Sequence, residues 1–351
     1  MKITKWIVIG SALGLLLTGC SDNEKTAKPV NNESKIEKPQ QNDAGEKIYP
    51  YTFPLTGIGS EVAVDTRAVA VMVNNHPKAR PHSGLHKADI VFELLAEGDV
   101  TRFLAVFQSE KPEKVGPVRS ARDYYIDLAK GLNGLYIAHG YSPEARKMLE
   151  SGYIDNLNGM VYDGTLFKRS SERKAPHNSY ITYENILKGA EKNHFAMNIQ
   201  PPSYKFYKKN EIESIQGKEA KSVMVSYFSS ALFNAIYDYD DTLGRYKRYS
   251  NGEQTIDYES KEPVLIDNIM IIEMQHKLLD SVGRREVNLT SGGNGYLLQK
   301  GKWNEITWGN VDGQIVPFQN GSEARLVPGK TWINVIPTDK GLQKSVSFED
   351  K

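Results

Sequence analysis

The chain has 351 residues, of which 39% are hydrophobic and 25% charged, and its 44 basic and 43 acidic side chains leave a formal net charge of +1. This balance argues against bulk binding to nucleic acid, which requires a strongly basic surface. The single cysteine excludes intramolecular disulfide bonds, so the folded part must be stabilised by burial alone.

The N-terminus has the pattern of a lipoprotein export signal. Lys2 and Lys5 precede an apolar run over residues 7–17, which is too short to span a bilayer, and the letters LTGC end that run at Cys20. We expect residues 1–19 to be removed as a signal peptide and Cys20 to carry diacylglyceryl and palmitate-type lipid, anchoring the protein to the cell membrane on its extracytoplasmic face. An ordinary secretory signal that ends in a cysteine by chance is the less favoured alternative.

Residues 20–50 combine the lipidated cysteine with a linker. The linker is rich in charged residues, Asn and Gln, and almost lacks apolar side chains, which is typical of a disordered spacer. A flexible coil of about 30 residues has a root-mean-square reach of about 30 Å, enough to hold a folded domain clear of the lipid headgroups. Removal of the signal takes away two lysines and no acid, leaving 42 basic and 43 acidic residues.

The rest of the chain divides into two predicted domains. Residues 51–195 alternate strand-like and helix-like segments, which predicts an α/β domain with a mixed sheet and flanking helices. Residues 196–345 contain short runs of β-branched and aromatic residues separated by turn residues, which predicts a smaller, mostly antiparallel β domain built as a sandwich or barrel. The fold class is therefore α/β or α+β.

The α/β half contains a predicted hairpin. Residues 88–97 and 100–109 flank Gly98 and Asp99, which together predict a two-residue turn. With that turn, residue i on the first strand faces residue 197 − i on the second. The register determines which side chains share a face of the ribbon.

Three acids and one arginine share one face of this predicted ribbon: Asp89, Glu93, Glu97 and Arg102. In a structural interpretation, Arg102 pairs with one of the two nearer acids, because a half-buried charge normally has a partner. In a functional interpretation, the acids are catalytic and face a ligand cleft with Mg²⁺ or Mn²⁺ between them. The pattern leaves both interpretations open.

Two arginines flank the next predicted helix. Ser120, followed three residues later by Asp123, predicts a capped helix start. Arg119 and Arg122 would then lie at a helix N-terminus, where unpaired N–H groups and the helix dipole favour an anion such as a phosphate or carboxylate. The alternative pairs Arg119 with Asp123 and leaves Arg122 in solvent.

Histidines gather in the same half of the chain. His139 ends a predicted strand just before a helix, a usual position for ligand contacts in open α/β sheets. His177 lies in a basic loop with Arg173. A zinc site made by the loop histidines 76, 82 and 86 is less favoured, because no carboxylate lies at ligand spacing.

Five segments together have the pattern of a known family: AVMVNNHPKARPHSGLHKADIVFE, EGDVTRFLAVF, VGPVRSARDYYIDLA, KAPHNSY and GKTWINVIP. They resemble the YerB-like lipoproteins of Gram-positive bacteria over residues from about 60 to 340. The resemblance implies a two-domain, membrane-tethered surface protein. It transfers no catalytic residues, because the family has no assigned activity.

A looser similarity concerns mechanism. The hairpin with its acids and arginine, followed by an arginine-rich helix start, is similar in style to the LytR-CpsA-Psr phosphotransferases. Those enzymes bind a polyprenyl pyrophosphate and load polymers onto the cell wall. This chain lacks their full arginine and aspartate pattern, so a shared activity rests on analogy alone.

The sequence favours a non-enzymatic, lipid-anchored binding protein for an anionic envelope ligand or an envelope protein partner. No familiar catalytic signature occurs, and we expect no cofactor and no bound metal. The predicted ligand contacts are Arg102, Arg119, Arg122, His139, Arg173 and His177. Two alternatives stay open: a phosphotransferase that acts on lipid-linked wall precursors through the three hairpin acids and Mg²⁺ or Mn²⁺, and a scaffold that regulates wall-synthesis enzymes.

Overall fold

One mixed sheet runs through both halves of the chain. The structure, a computed structural model, describes residues 40–41, 47–227 and 229–349. Within these residues, eleven strands of the central sheet lie in the spatial order Asn156–Asn158, Leu135–Ala138, Val69–Asn74, Thr101–Phe107, Ile90–Leu95, Thr331–Pro337, Asn268–Met274, Gly293–Gln299, Lys302–Val311, Gln314–Gln319 and Ser322–Glu323. A twelfth strand, Lys218–Glu219, pairs with Lys302–Val311.

Several of the described strands point the same way, and we call the edge of the sheet at which they end the carboxyl edge. Six of these strands lie in the part of the sheet that contains the parallel pairs. They are Asn156–Asn158, Leu135–Ala138, Val69–Asn74, Ile90–Leu95, Thr331–Pro337 and Asn268–Met274. The loops that follow these strands therefore meet at one side of the molecule, as in other open α/β sheets.

Smaller elements cover the central sheet. The helices are α1 (Asp123–Gly131), α2 (Pro143–Glu150), α3 (Gly159–Tyr162), α4 (Tyr183–Lys192) and α5 (Gly341–Ser345), with 3-10 turns at Pro77–Ala79, Leu85–Lys87, Lys209–Ser214 and Ala231–Phe233. Within the described residues the second sheet comprises Glu253–Gln254, Arg245–Ser250, Ala235–Asp240, Ser222–Val225, Val346–Glu349 and Leu265–Ile266. A three-stranded sheet comprises Phe167–Arg169, Ser179–Thr182 and Lys114–Val115. Short two-stranded pairs are Gln40–Gln41 with Lys47–Ile48, Tyr51–Thr52 with Gly59–Ser60, and His276–Leu278 with Arg285–Val287.

The middle strands of the central sheet are buried on both faces, which explains their continuous apolar runs. Residues of α1 and α2, such as Leu128 and Leu149, pack on one face. Residues of α4 and of the second sheet, such as Ile186 and Val223, pack on the other.

The predicted fold class is confirmed: the N-terminal half contains a mixed sheet with helices, and the C-terminal half contains antiparallel strands. The central sheet is continuous across the two predicted halves, because the C-terminal strand Thr331–Pro337 pairs in parallel with Ile90–Leu95.

The hairpin register differs by one residue from the prediction. Leu94 lies opposite Arg102, and the Ala96 N–H donates to the Val100 carbonyl at 2.8 Å. The loop therefore has three residues, with Gly98 at a φ of +55°. A one-residue shift moves a side chain to the other face of a ribbon, so Arg102 and Glu93 point to opposite faces. Because both faces are buried, hydrophobic alternation could not reveal the error.

The three longest helices begin in different ways. The start of α1 is not capped by Ser120 as predicted, because Arg122 occupies the N-cap position without a side-chain cap and Ser120 Oγ donates to the His139 carbonyl at 3.2 Å. The starts of α2 and α4 are capped by Ser142 and Thr182, whose hydroxyls accept backbone N–H groups.

A fully buried ion pair joins the two halves. Arg248 of the second sheet donates to the two carboxylate oxygens of Glu93 at 2.9 and 3.1 Å. The same carboxylate accepts from Trp332 Nε1 at 3.0 Å, Asn75 Nδ2 at 3.2 Å and Thr101 Oγ1 at 3.1 Å. Five donated hydrogen bonds compensate the cost of burying this charge.

The predicted signal peptide and Cys20 lie outside the described residues. The predicted linker is described only at residues 40–41 and from residue 47. In the part of the chain that is described, no helix has the length and hydropathy required to cross a membrane.

Candidate functional site

We call the space at the carboxyl edge of the sheet, between the ends of two parallel strands, the crevice. Segment 117–121 enters between Val69–Asn74 and Leu135–Ala138. The Arg119 N–H donates to a carbonyl of the first strand at 2.9 Å, and the Arg119 carbonyl accepts the N–H of His139 at 3.0 Å. The backbone thus places two predicted ligand contacts side by side, at the position where such sheets bind ligands.

Glycine at position 116 permits this arrangement. A Cβ at Gly116 would lie 2.8 Å from the Ser179 carbonyl oxygen and 2.7 Å from the Tyr180 ring. The Val118 N–H donates to the same Ser179 carbonyl at 2.7 Å. A larger residue would push the two segments apart, so the glycine also keeps the loop that carries His177 beside the crevice.

Arg119 has a half-buried guanidinium. Among the described residues, its side chain makes no hydrogen bond and no ion pair. Burial lowers the pKa of Arg119, while the Glu97 carboxylate opposes this shift and Arg122 adds to it. A half-buried cation without a hydrogen-bonded counter-charge costs free energy, and an anion beside it would reduce that cost.

Two stacked histidines flank Arg119. The rings of His76 and His177 are 4.6 Å apart at 30°. The Lys78 N–H donates to His76 Nδ1 at 3.1 Å, and Asn74 Nδ2 donates to His177 Nδ1 at 2.9 Å, which leaves the ring proton of each neutral histidine on Nε2. Burial lowers the pKa of both rings, and nearby cations including Arg119 lower it further. At neutral pH the pair therefore supplies two uncharged N–H donors.

His139 completes the crevice. Arg169 Nη2 donates to His139 Nε2 at 3.0 Å, so Nδ1 carries the proton and donates to Ser179 Oγ at 2.7 Å. In this tautomer the ring cannot remove a proton from Ser179, and the pair does not act as a nucleophile and base. A Cβ at Gly159 would lie 2.2 Å from the ring, so only glycine there leaves room for the observed ring position.

A carboxylate lies between the other two predicted arginines. Glu97 accepts from Arg102 Nη2 at 2.6 Å and also pairs with Arg122. Arg102 is buried and donates a further bond to the Ser120 carbonyl at 2.8 Å, and burial, with Arg122 second, lowers the pKa of Arg102 to about 10. Glu97 thus already occupies the place that an anion would take between these guanidinium groups.

Comparison with known proteins identifies the family. Two family models match, described as "Protein of unknown function (DUF3048) N-terminal domain" over residues 55–196 and "Protein of unknown function (DUF3048) C-terminal domain" over residues 223–333. The chain is 47% identical over 286 residues to "Putative lipoprotein YerB" of Bacillus subtilis, covering 81% of this chain and 86% of the relative. The chain belongs to the YerB-like lipoprotein family. The crystal structure of YerB from Bacillus subtilis superposes with a TM-score of 0.78 at 44% identity, covering 86% of this chain and all of that one.

Membership of the YerB-like family assigns no residue a role, so the predicted acids are judged by their surroundings. Asp89 is buried near the start of its strand and accepts the Gln108 and Ser109 N–H groups at 2.6 and 2.7 Å; burial raises its pKa to about 6. Glu93 is enclosed by donors, and Glu97 lies at the carboxyl edge. The structure does not bring the three carboxylates together. No cluster of His, Cys, Asp and Glu side chains within the described residues could hold a metal ion.

Arg173 has a different environment from the other predicted contacts. It donates to the Ala79 carbonyl and, at 2.7 Å, to the Pro81 carbonyl, and its guanidinium lies 5.0 Å from the Tyr258 ring. These contacts hold the loop that begins at His76. In this member of the YerB-like family, Arg173 therefore positions the crevice wall while adding positive charge near His177.

The three histidines of the less favoured zinc alternative lie in separate surroundings. His82 is buried, bonds the Asn74 carbonyl through Nε2 at 2.8 Å, and has a pKa lowered to about 3 by burial. His86 contacts Asp257 at 3.0 Å, whereas His76 stacks on His177. The structure does not bring the three rings together as ligands.

Sequence reasoning did not select His76, which the structure places beside Arg119 and His177, or Asn74, which orients His177. The signal was present, because His76 follows the strand Val69–Asn74 just as His139 follows Leu135–Ala138. Both positions lie at the carboxyl edge, where the same rule applies.

Proposed function

We propose that this lipoprotein binds a phosphate-bearing envelope ligand in the crevice formed by Arg119, His76, His177 and His139, which we call the anion crevice. The observation that carries the proposal is the half-buried guanidinium of Arg119, which makes no hydrogen bond or ion pair within the described residues. We further propose that lipid on Cys20 holds the protein at the outer face of the cell membrane.

The charge and donors of the anion crevice favour phosphate over a single carboxylate. Three guanidinium groups, at positions 102, 119 and 122, face one carboxylate, that of Glu97, which leaves a net charge of +2. The planar guanidinium of Arg119 and the ring N–H groups of His76 and His177 can donate hydrogen bonds to several oxygens of one phosphate. Phosphate occurs both in wall polymers and in lipid headgroups, so the ligand class is a phosphate ester of either source.

Direct titration tests the proposal. We expect the mature protein to bind inorganic pyrophosphate and a soluble polyol-phosphate polymer in calorimetry, with affinity that falls as salt rises. Binding to vesicles that contain anionic phospholipid, and not to vesicles without it, would identify a lipid headgroup rather than a wall polymer as the source of the phosphate. Absence of binding to every phosphate probe at low salt would overturn the proposal, and crosslinking that captures an envelope protein regardless of Arg119 would support the scaffold alternative.

Binding of the anion is expected to strengthen as pH falls. The pKa of His76 and of His177 lies below the usual value in the free protein, mainly because the rings are buried. A bound anion favours the charged rings and raises both pKa values, so binding takes up protons and affinity rises below a pH of about 6.5. Pyrophosphate titrations between pH 8 and 5 measure this effect.

Glutamine at both positions, His76→Gln with His177→Gln, should remove most of that pH dependence. His194 is exposed and remote from the crevice, so His194→Asn serves as the matched control and should leave the pH profile unchanged. A double variant that keeps the native profile would exclude the stacked pair from the site.

Neutralising Glu97 is expected to increase anion affinity. Glu97→Gln frees Arg102 and Arg122 from their carboxylate, and the added positive potential should tighten pyrophosphate binding about tenfold. The same change should lower the melting temperature, because buried Arg102 loses its counter-charge. Asp99→Asn, in the same loop but bonded to Ser229, is the control; equal or weaker binding by Glu97→Gln contradicts the prediction.

A further inference from the structure

A groove of about 640 Å³ lies in the C-terminal half, formed by residues distinct from those of the anion crevice. The outer face of the antiparallel strands forms its floor, and α5 forms one wall. The side chains that matter most are Tyr296, Glu305, Thr307, Phe318, Gln319 and Gln343.

Strand register places the floor residues on one face. Tyr296 lies opposite Glu305, and Thr307 lies opposite Phe318, so all four project from the same side of the sheet. The second sheet reaches this face at Phe348, whose ring centroid is 5.8 Å from that of Tyr296. The floor beyond that contact is uncovered, with exposed Glu305 and Thr307 lying between two half-buried aromatic rings.

Several polar groups of the groove are available for a ligand. Among the described residues, the side chains of Glu305, Gln319 and Gln343 make no hydrogen bond and no ion pair. The two amides can both donate and accept, and the carboxylate accepts. A ligand matched to them must combine donors and acceptors in the same group, as a hydroxyl does.

The charges of the groove balance. Glu273 and Glu305 on the floor are opposed by Lys340 and Lys344 on the helical wall. A groove with two charges of each sign gives no net attraction to an ion, in contrast to the anion crevice. Its occupant should therefore be uncharged.

We propose that this groove binds a neutral glycan chain. Sugar hydroxyls match the free amides and carboxylate, and the C–H faces of sugar rings can stack on Tyr296 and Phe318, whose rings flank the polar floor. A groove that is open to solvent on a sheet face can admit a segment of a polymer whose ends extend beyond it. The site is independent of the phosphate ligand proposed above.

Calorimetry and NMR titration with the β-1,4-linked hexamer of N-acetylglucosamine test the proposal, with cellohexaose as a comparison that lacks acetamido groups. We expect binding of at least one hexamer and a loss of about tenfold in affinity for Glu305→Ala combined with Gln319→Ala. Phe318→Leu should give a similar loss while keeping an apolar side chain. The exposed Glu219 lies outside the groove, and Glu219→Ala is the matched control.

Three results would overturn the proposal: no binding of either hexamer at millimolar concentration, binding that the groove variants leave unchanged, or binding that Arg119→Gln abolishes. Glu305 is exposed and Gln319 is half-buried, and neither side chain has a hydrogen-bond or ion-pair partner in the described residues. The double variant should therefore keep the native melting temperature, and a loss of affinity would then report on the groove.

Discussion

Replacing Arg119 with glutamine is expected to weaken pyrophosphate binding 10- to 100-fold, because a hydrogen-bonded charge contributes about 1.5–3 kcal/mol. Protein stability should not fall and should rise slightly, since the Arg119 side chain has no hydrogen bond or ion pair within the described residues and its partial burial costs free energy. Arg119→Lys keeps the charge but loses the fork geometry, and its affinity should lie between those of Arg119→Gln and the native protein. Calorimetry at low salt measures the affinity for pyrophosphate, and thermal melts measure the stability of each variant.

The matched control is Arg146→Gln. Arg146 is exposed on α2, where its partner is Glu150 one turn later. Arg146→Gln should change the affinity for pyrophosphate and the melting temperature only slightly. If Arg119→Gln binds as tightly as the native protein, Arg119 is not the ligand contact and the anion crevice has no function in binding.

The largest expected effect on stability concerns the buried ion pair between the two halves. Arg248→Met leaves the fully buried Glu93 carboxylate without its counter-charge and should lower the free energy of unfolding by about 3–5 kcal/mol. Urea unfolding followed by tryptophan fluorescence measures the change, because Trp332 donates to the same carboxylate at 3.0 Å.

A second variant separates the charge from the packing. Glu93→Gln combined with Arg248→Met removes both charges, and we expect it to regain most of the lost stability. Arg245→Met, three residues away on the same strand, breaks a partly exposed pair with Asp267 and should cost about 1 kcal/mol or less. A cost below about 1 kcal/mol for Arg248→Met would show that the pair is not needed for stability.

Part of the candidate site could be predicted because it depends on local order along the chain. His139 follows a buried strand, and Arg119 precedes a helix, so general rules for open sheets place both near a ligand. The structure brings them together through a backbone hydrogen bond of 3.0 Å. The same rule would have selected His76.

The hairpin shows why other parts could not be predicted. Both faces of the ribbon are apolar and buried, so periodicity could not distinguish a two-residue loop from the three-residue loop that exists. The error moved Arg102 to the face of Glu93, whereas the true partner of Glu93 is Arg248, 155 positions away in the sequence. A partner at that distance leaves no local pattern.

The sequence by itself determined the mixed class of the fold and the family, because these depend on residue type and on spacing between near neighbours. Only the tertiary structure determined which charged side chains form ion pairs and which do not. Glu97 pairs with both Arg102 and Arg122, Glu93 pairs with Arg248, and Arg119 has no hydrogen bond or ion pair among the described residues. The physical reason is that an ion pair depends on distances of a few ångströms between side chains, and those distances are set by how strands far apart in the chain pair and pack.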